Sequence, residues 1–146
     1  MANASRIMIT AATLVALSGL APSRAQAQTV VVVAAASPVN VLSAAQVANV
    51  FLGKRVALPG GVELVPLDQP EDSAIRHDFY LKVVGRSPEL MKAHWSRLLF
   101  TGKGEPPREL PNGAGVRRAI AADPRYVGYL DKSAVDAGVK IVFAVD

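Results

Sequence analysis

Four consecutive valines, Val30, Val31, Val32 and Val33, constrain this chain more than any other feature. β-Branched side chains favour strands, and successive residues of a strand point to opposite faces of a sheet. An unbroken apolar run therefore needs cover on both sides. Ser37 and Pro38 follow closely, so the run is too short for an ordinary helix. It reads as the central strand of a sheet with both faces covered, which already implies an α/β protein.

The residues before that strand have a different character. Arg6 supplies an early positive charge, residues 7–21 are apolar or small, and Ala25-Gln26-Ala27 precedes Gln28. These are the three parts of a secretory leader with an A-x-A cleavage site. Fifteen residues rich in Ala, Thr and Ser fall short of the roughly 20 apolar residues that span a bilayer. We therefore expect a leader over residues 1–27, a working domain over residues 28–146, a periplasmic location and no membrane span after cleavage. Cysteine is absent, which removes disulfides, Cys-based metal sites and lipidation at a cysteine. The formal charge of +4 includes Arg6 and Arg24, so only +2 remains once the leader is gone. With the basic residues scattered, nucleic acid is not an expected partner.

Along the working domain, Ser43 and Gln46 form a capping-box pattern ahead of Val47, Val50 and Phe51, with Gly53 as the stop. Pro59-Gly60-Gly61 reads as a turn and residues 62–67 as a strand. Asp68 to Asp72 is loop chemistry that runs into Ser73, an N-cap for a helix whose buried face is Ile75, Phe79, Tyr80, Val83 and Val84 and which ends at Gly85. Ser87-Pro88 opens the next helix, with Leu90, Met91, Trp95, Leu98 and Leu99 on its packed side. Residues 101–111 read as a Gly/Pro-rich loop, residues 115–122 as a short helix, and residues 126–130 and 139–145 as the last strands.

Several chemistries find no support. His77 and His94 lie on different helices without the spacing of a metal pair, so no metal is expected. No G-x-S-x-G elbow is present. Thr101-Gly-Lys-Gly104 lacks the upstream glycine of a phosphate loop and follows a helix. An enzyme is not expected, and nothing points to a cofactor.

The informative place is the Ser73 helix start. Beyond the carboxyl end of a strand, a helix N-terminus offers free amides and a positive dipole end to an anion. Ser73, Ala74 and Ile75 are the natural donors. Glu71 and Asp72 oppose an anion there and stabilise the helix themselves, so ordinary capping accounts for the same residues.

The segments Ser37-Pro-Val-Asn-Val-Leu-Ser43 and Val65-Pro-Leu-Asp-Gln-Pro-Glu-Asp-Ser73, with Arg76 and Phe79, resemble the phosphate-type substrate-binding proteins of ABC transporters. Trp95, Phe100-Thr-Gly-Lys-Gly104, Pro106, Pro107 and Asp123-Pro-Arg-Tyr-Val-Gly-Tyr-Leu130 are similar to the short, single-lobe members of that family. The match covers about residues 30 to 145. The resemblance implies a single three-layer α/β/α lobe of the type II periplasmic-binding-protein kind, with a mixed sheet. It implies an exported solute-binding-like protein related to phosphate ABC uptake, with phosphate or another small oxyanion as ligand and an ABC permease or another periplasmic protein as partner. The family's anion motif is an arginine, three residues, then Ser-Gly-Thr; the matching positions are Gln69, Ser73, Ala74 and Ile75. With the arginine and threonine gone, the implied binding is weak, and a protein-interaction or sensory module that has lost its ligand is the alternative.

Overall fold

The computed structural model describes residues 27–146, so the expected leader lies outside the described residues except for Ala27. Strand β1 (Thr29–Ala34) takes up the valine run, and each of its four valines is at most 1% exposed. Helix α1 (Ala44–Phe51) begins with the expected capping box, Ser43 accepting from the Gln46 amide while the Gln46 side chain accepts from the Ser43 amide. After the turn at Pro59–Gly61 come β2 (Val65–Asp68) and helix α2 (Ala74–Phe79). Helix α3 (Pro88–Phe100), a two-residue β3 (Arg108–Glu109), helix α4 (Gly113–Ala122), β4 (Tyr126–Asp131) and β5 (Val139–Ala144) complete the chain.

The five strands form one mixed sheet in the order β3-β2-β4-β1-β5. β1 runs antiparallel to both β4 and β5, while β2 runs parallel to β3 and β4. Alternation along β1 divides the interior in two. Val31 and Val33 pack with Val47, Phe51, Phe79, Tyr129 and Trp95 on one face. Val30 and Val32 pack with Leu67, Val116, Ile120 and Leu130 on the other. Three helices on one side and α4 on the other make the expected three layers. α4 lies so close to β4 that a Cβ on Gly128 would come within 2.7 Å of the Val116 side chain.

Local departures have physical causes. The strand expected over 62–67 starts at Val65, where the Val65 amide first finds the Arg125 carbonyl. The helix expected to run regularly to Val84 winds its last turn, Tyr80–Val84, as a π-helix before left-handed Gly85. The wider turn lets two successive residues, Phe79 at 0% and Tyr80 at 3% exposure, both face inward. α4 starts at Gly113 and not at 115 because the Asn112 side chain accepts from the Gly115 amide. On α3, Met91, His94 and Trp95 face the core, whereas Leu90 and Leu99, expected on the packed side, stand more than half exposed on its flanks. The loop expected over 101–111 carries β3, which adds to the edge of β2.

Candidate functional site

β2 ends by burying a carboxylate. Asp68, 2% exposed, accepts the Tyr80 hydroxyl at 2.6 Å, the Tyr129 hydroxyl, and the Gln69 amide at 2.9 Å. The Arg76 guanidinium lies 3.6 Å from it and 5.4 Å from the Tyr80 ring centre. Burial first, and then the adjacent negative charge and hydrogen bond of Asp68, push both tyrosine hydroxyls well above their ordinary value. They stay protonated and donate. Every buried side-chain nitrogen and oxygen among the described residues has a partner, so this cluster is a closed pin between β2, β4 and α2 and holds no spare reactive group.

That pin aims the next residue. Gln69 is buried, its Nε2 donates to the Tyr129 carbonyl at 2.8 Å, and its own carbonyl accepts from Arg76 Nη1 at 2.8 Å. The chain then turns through Pro70, whose carbonyl accepts from the Ser73 amide. Ser73 is half-buried and acts as the N-cap of α2, its Oγ accepting from the Arg76 amide at 3.4 Å. Ala74 is exposed and Ile75 half-buried.

Gln69, Ala74 and Ile75 line a shallow depression of about 820 Å³ together with Gly113 and Ala114. Ser73 caps the helix beside it and does not line it. First-turn residues of α2 and α4 therefore border one space, which continues along the flanks of both helices past Asp78, Lys82 and Arg117. The amides of Ala74, Ile75, Gly113 and Ala114 have no acceptor among the described residues, as first-turn amides commonly do not. The α4 half of this arrangement escaped sequence reasoning, although Asn112 three residues before Gly115 was an available cap signal.

The charges around the depression are mixed. Lys82 pairs with Asp78 at 2.8 Å and Arg117 with Asp136 at 3.2 Å. Asp131, whose carboxyl is held below its usual range by hydrogen bonds from the Ser133 hydroxyl and amide, lies on the rim with Asp146. Glu71 borders the groove on the opposite side of α2, and Asp72 is exposed. The amides attract an anion here while the rim carboxylates resist it.

The histidines lie elsewhere. His94 is buried with Nε2 3.0 Å from the Leu52 carbonyl, and His77 Nε2 lies 2.8 Å from the Glu71 carbonyl. No cluster of three or more His, Cys, Asp or Glu suited to a metal occurs among the described residues, and none of their helices is long and apolar enough to cross a membrane.

No family model and no curated protein matches the chain. Solved structures do. An ABC-type phosphate transport receptor from Vibrio cholerae superposes with a TM-score of 0.62 at 17% identity, over 80% of this chain and 45% of that one. A protein from Clostridium perfringens, assigned as a phosphate ABC transporter substrate-binding protein and solved with phosphate bound, gives 0.63 at 17% identity, over 80% and 44%. The chain spans less than half the length of either. Its fold is the periplasmic-binding-protein fold of these two structures, matched over less than half of their length.

Proposed function

We propose that this chain is an exported, non-enzymatic solute-binding-like protein related to phosphate ABC uptake, holding phosphate or another small oxyanion weakly between the starts of α2 and α4. The convergence of Ala74, Ile75, Gly113 and Ala114 on one depression beside Gln69 carries this reading. Four amides and two dipole ends favour an anion without any free cation. Ser73 contributes by fixing the α2 terminus, and its hydroxyl hydrogen remains available to donate. The Ala25-Gln26-Ala27 leader end supports release into the periplasm, where an ABC permease or another periplasmic protein is the partner.

Two features of this depression point to low affinity. The position matching the family's arginine is Gln69, whose amide is already engaged by Tyr129, and a charge-assisted bond of roughly 1.5–3 kcal/mol is absent. The depression is also open to solvent, with Ala74 exposed on its wall. Millimolar affinity, about 4 kcal/mol, is the expected scale. Calorimetric titration of residues 28–146 with phosphate, sulfate and small carboxylates tests the reading. Weak phosphate binding that Gln69→Arg tightens supports it. If no anion binds and Gln69→Arg creates no site, the interaction-module alternative replaces it.

A further inference from the structure

We infer that the groove on the opposite side of α2 docks an extended segment of a protein partner about five residues long, with a basic side chain at one end and apolar side chains at the other. The groove has a volume of about 560 Å³ and shares no lining residue with the depression between the helix starts. α2 separates them: Arg76, His77 and Tyr80 face the groove, while Ala74, Ile75 and Asp78 face the depression.

The groove is polarised along α3. Pro88 and Glu89 stand at one end of its wall and Leu99 at the other. Eleven helical steps separate positions 88 and 99, about 16 Å, which an extended chain covers in about five residues. At the first end, the His77 ring nitrogen lies 2.8 Å from the Glu71 backbone carbonyl, and Glu89 stands in the first turn of α3, its carboxyl held below its usual range by hydrogen bonds from its own backbone and from Ser87. Neither carboxylate has an ion-pair partner among the described residues. Lys92 lies one turn further along, and Glu109 is occupied by Arg76 at 3.5 Å. At the second end the surface is apolar. Trp95, Leu99, Pro106 and Pro107 line it, and Phe100 beyond them is 94% exposed.

Charge complementarity sets the occupant. Two unpaired carboxylates favour a lysine or arginine, and its aliphatic stem continues naturally onto the indole and the prolines. The floor of Asp68 and Tyr80 is internally satisfied and rigid, so recognition rests on the walls. Trp95 is only 7% exposed, so the apolar contact rests mainly on Leu99, Pro106 and Pro107.

Trp95 is the sole tryptophan and borders both this groove and a neighbouring one with Val50, Gly53 and Leu58, so its emission reports binding and the glutamate variants assign it to this groove. The probes are two capped pentapeptides, lysine-valine-proline-leucine-alanine and the same residues in reverse order, titrated into residues 28–146. We expect a saturable change in Trp95 emission with one order, and at least tenfold weaker binding when glutamate replaces the lysine. Glu71→Gln combined with Glu89→Gln should weaken the lysine peptide roughly fivefold, with only a small drop in unfolding midpoint from the loss of the acidic residue in the first turn of α3. Inorganic phosphate alone should leave the emission unchanged. The inference is overturned if neither order gives a saturable change at low-millimolar peptide, if the glutamate peptide binds equally well, or if the double variant binds the lysine peptide unaltered. A saturable emission change with phosphate alone would also overturn it, since the two sites would then not be separate.

Discussion

Tyr129, in the middle of β4, donates its hydroxyl to the carboxylate of Asp68 at the end of β2, joining residues 61 positions apart in the chain. The same tyrosine's carbonyl receives the Gln69 side chain. One residue thus holds both the buried charge and the first residue of the candidate site, and the orientation of the α2 start depends on it.

Removing the carboxylate should therefore be costly. Asp68→Ala leaves two buried hydroxyls without their acceptor and removes one of Arg76's two carboxylate neighbours, and we expect a loss of roughly 3–5 kcal/mol. Tyr129→Phe deletes one charge-assisted bond and should lose about 1.5–3 kcal/mol. Urea unfolding monitored by circular dichroism measures both.

Alkaline titration tests the same cluster from the proton's side. Tyr80 and Tyr129 have hydroxyls raised by burial and by Asp68, so the folded state binds protons that the unfolded state releases above about pH 10. Their contribution to stability is complete below that pH and declines as pH rises through it. Absorbance at 295 nm should give native protein the same alkaline titration as the Tyr80→Phe, Tyr129→Phe double variant until unfolding begins.

Trp95 is 7% exposed and edge-on to His94, beneath left-handed Gly53, where an added Cβ would lie 3.1 Å from the indole. Trp95→Ala should lose about 3–5 kcal/mol. Gly53→Ala should lose about 1–2 kcal/mol from its positive φ alone. Thermal unfolding distinguishes these values, and emission of the folded wild type should lie to the blue of the unfolded protein.

Much of the fold was legible because its signals are local or periodic. The valine run announced a central strand, and Ser43 with Gln46 announced a helix start; each depends only on near neighbours. The Asp68 cluster was not legible. Asp68 reads as a loop residue, and Tyr80 and Tyr129 read as ordinary core, because what joins them is a sheet pairing and a helix crossing that no local pattern encodes. The π turn was hidden in the same way, since Phe79 and Tyr80 are both core residues yet adjacent. Gln69, Ala74 and Ile75 were found through Ser73, while Gly113 and Ala114 belong to a helix start that only the fold brings alongside.

Export is tested at the chain's start. Mature protein recovered from the periplasm should begin at Gln28, because Ala25 and Ala27 meet the small-residue requirement for cleavage. N-terminal sequencing reads this directly, and Met1 retained on exported protein would contradict it.

The central claim is that two helix starts share one oxyanion. Backbone amide NMR during a phosphate titration tests it most directly. The account predicts that Ala74, Ile75, Gly113 and Ala114 shift together along one millimolar binding curve, and that Gln69→Arg moves the whole curve to lower phosphate. Shifts confined to other residues, or four amides unmoved while calorimetry records binding, would contradict it.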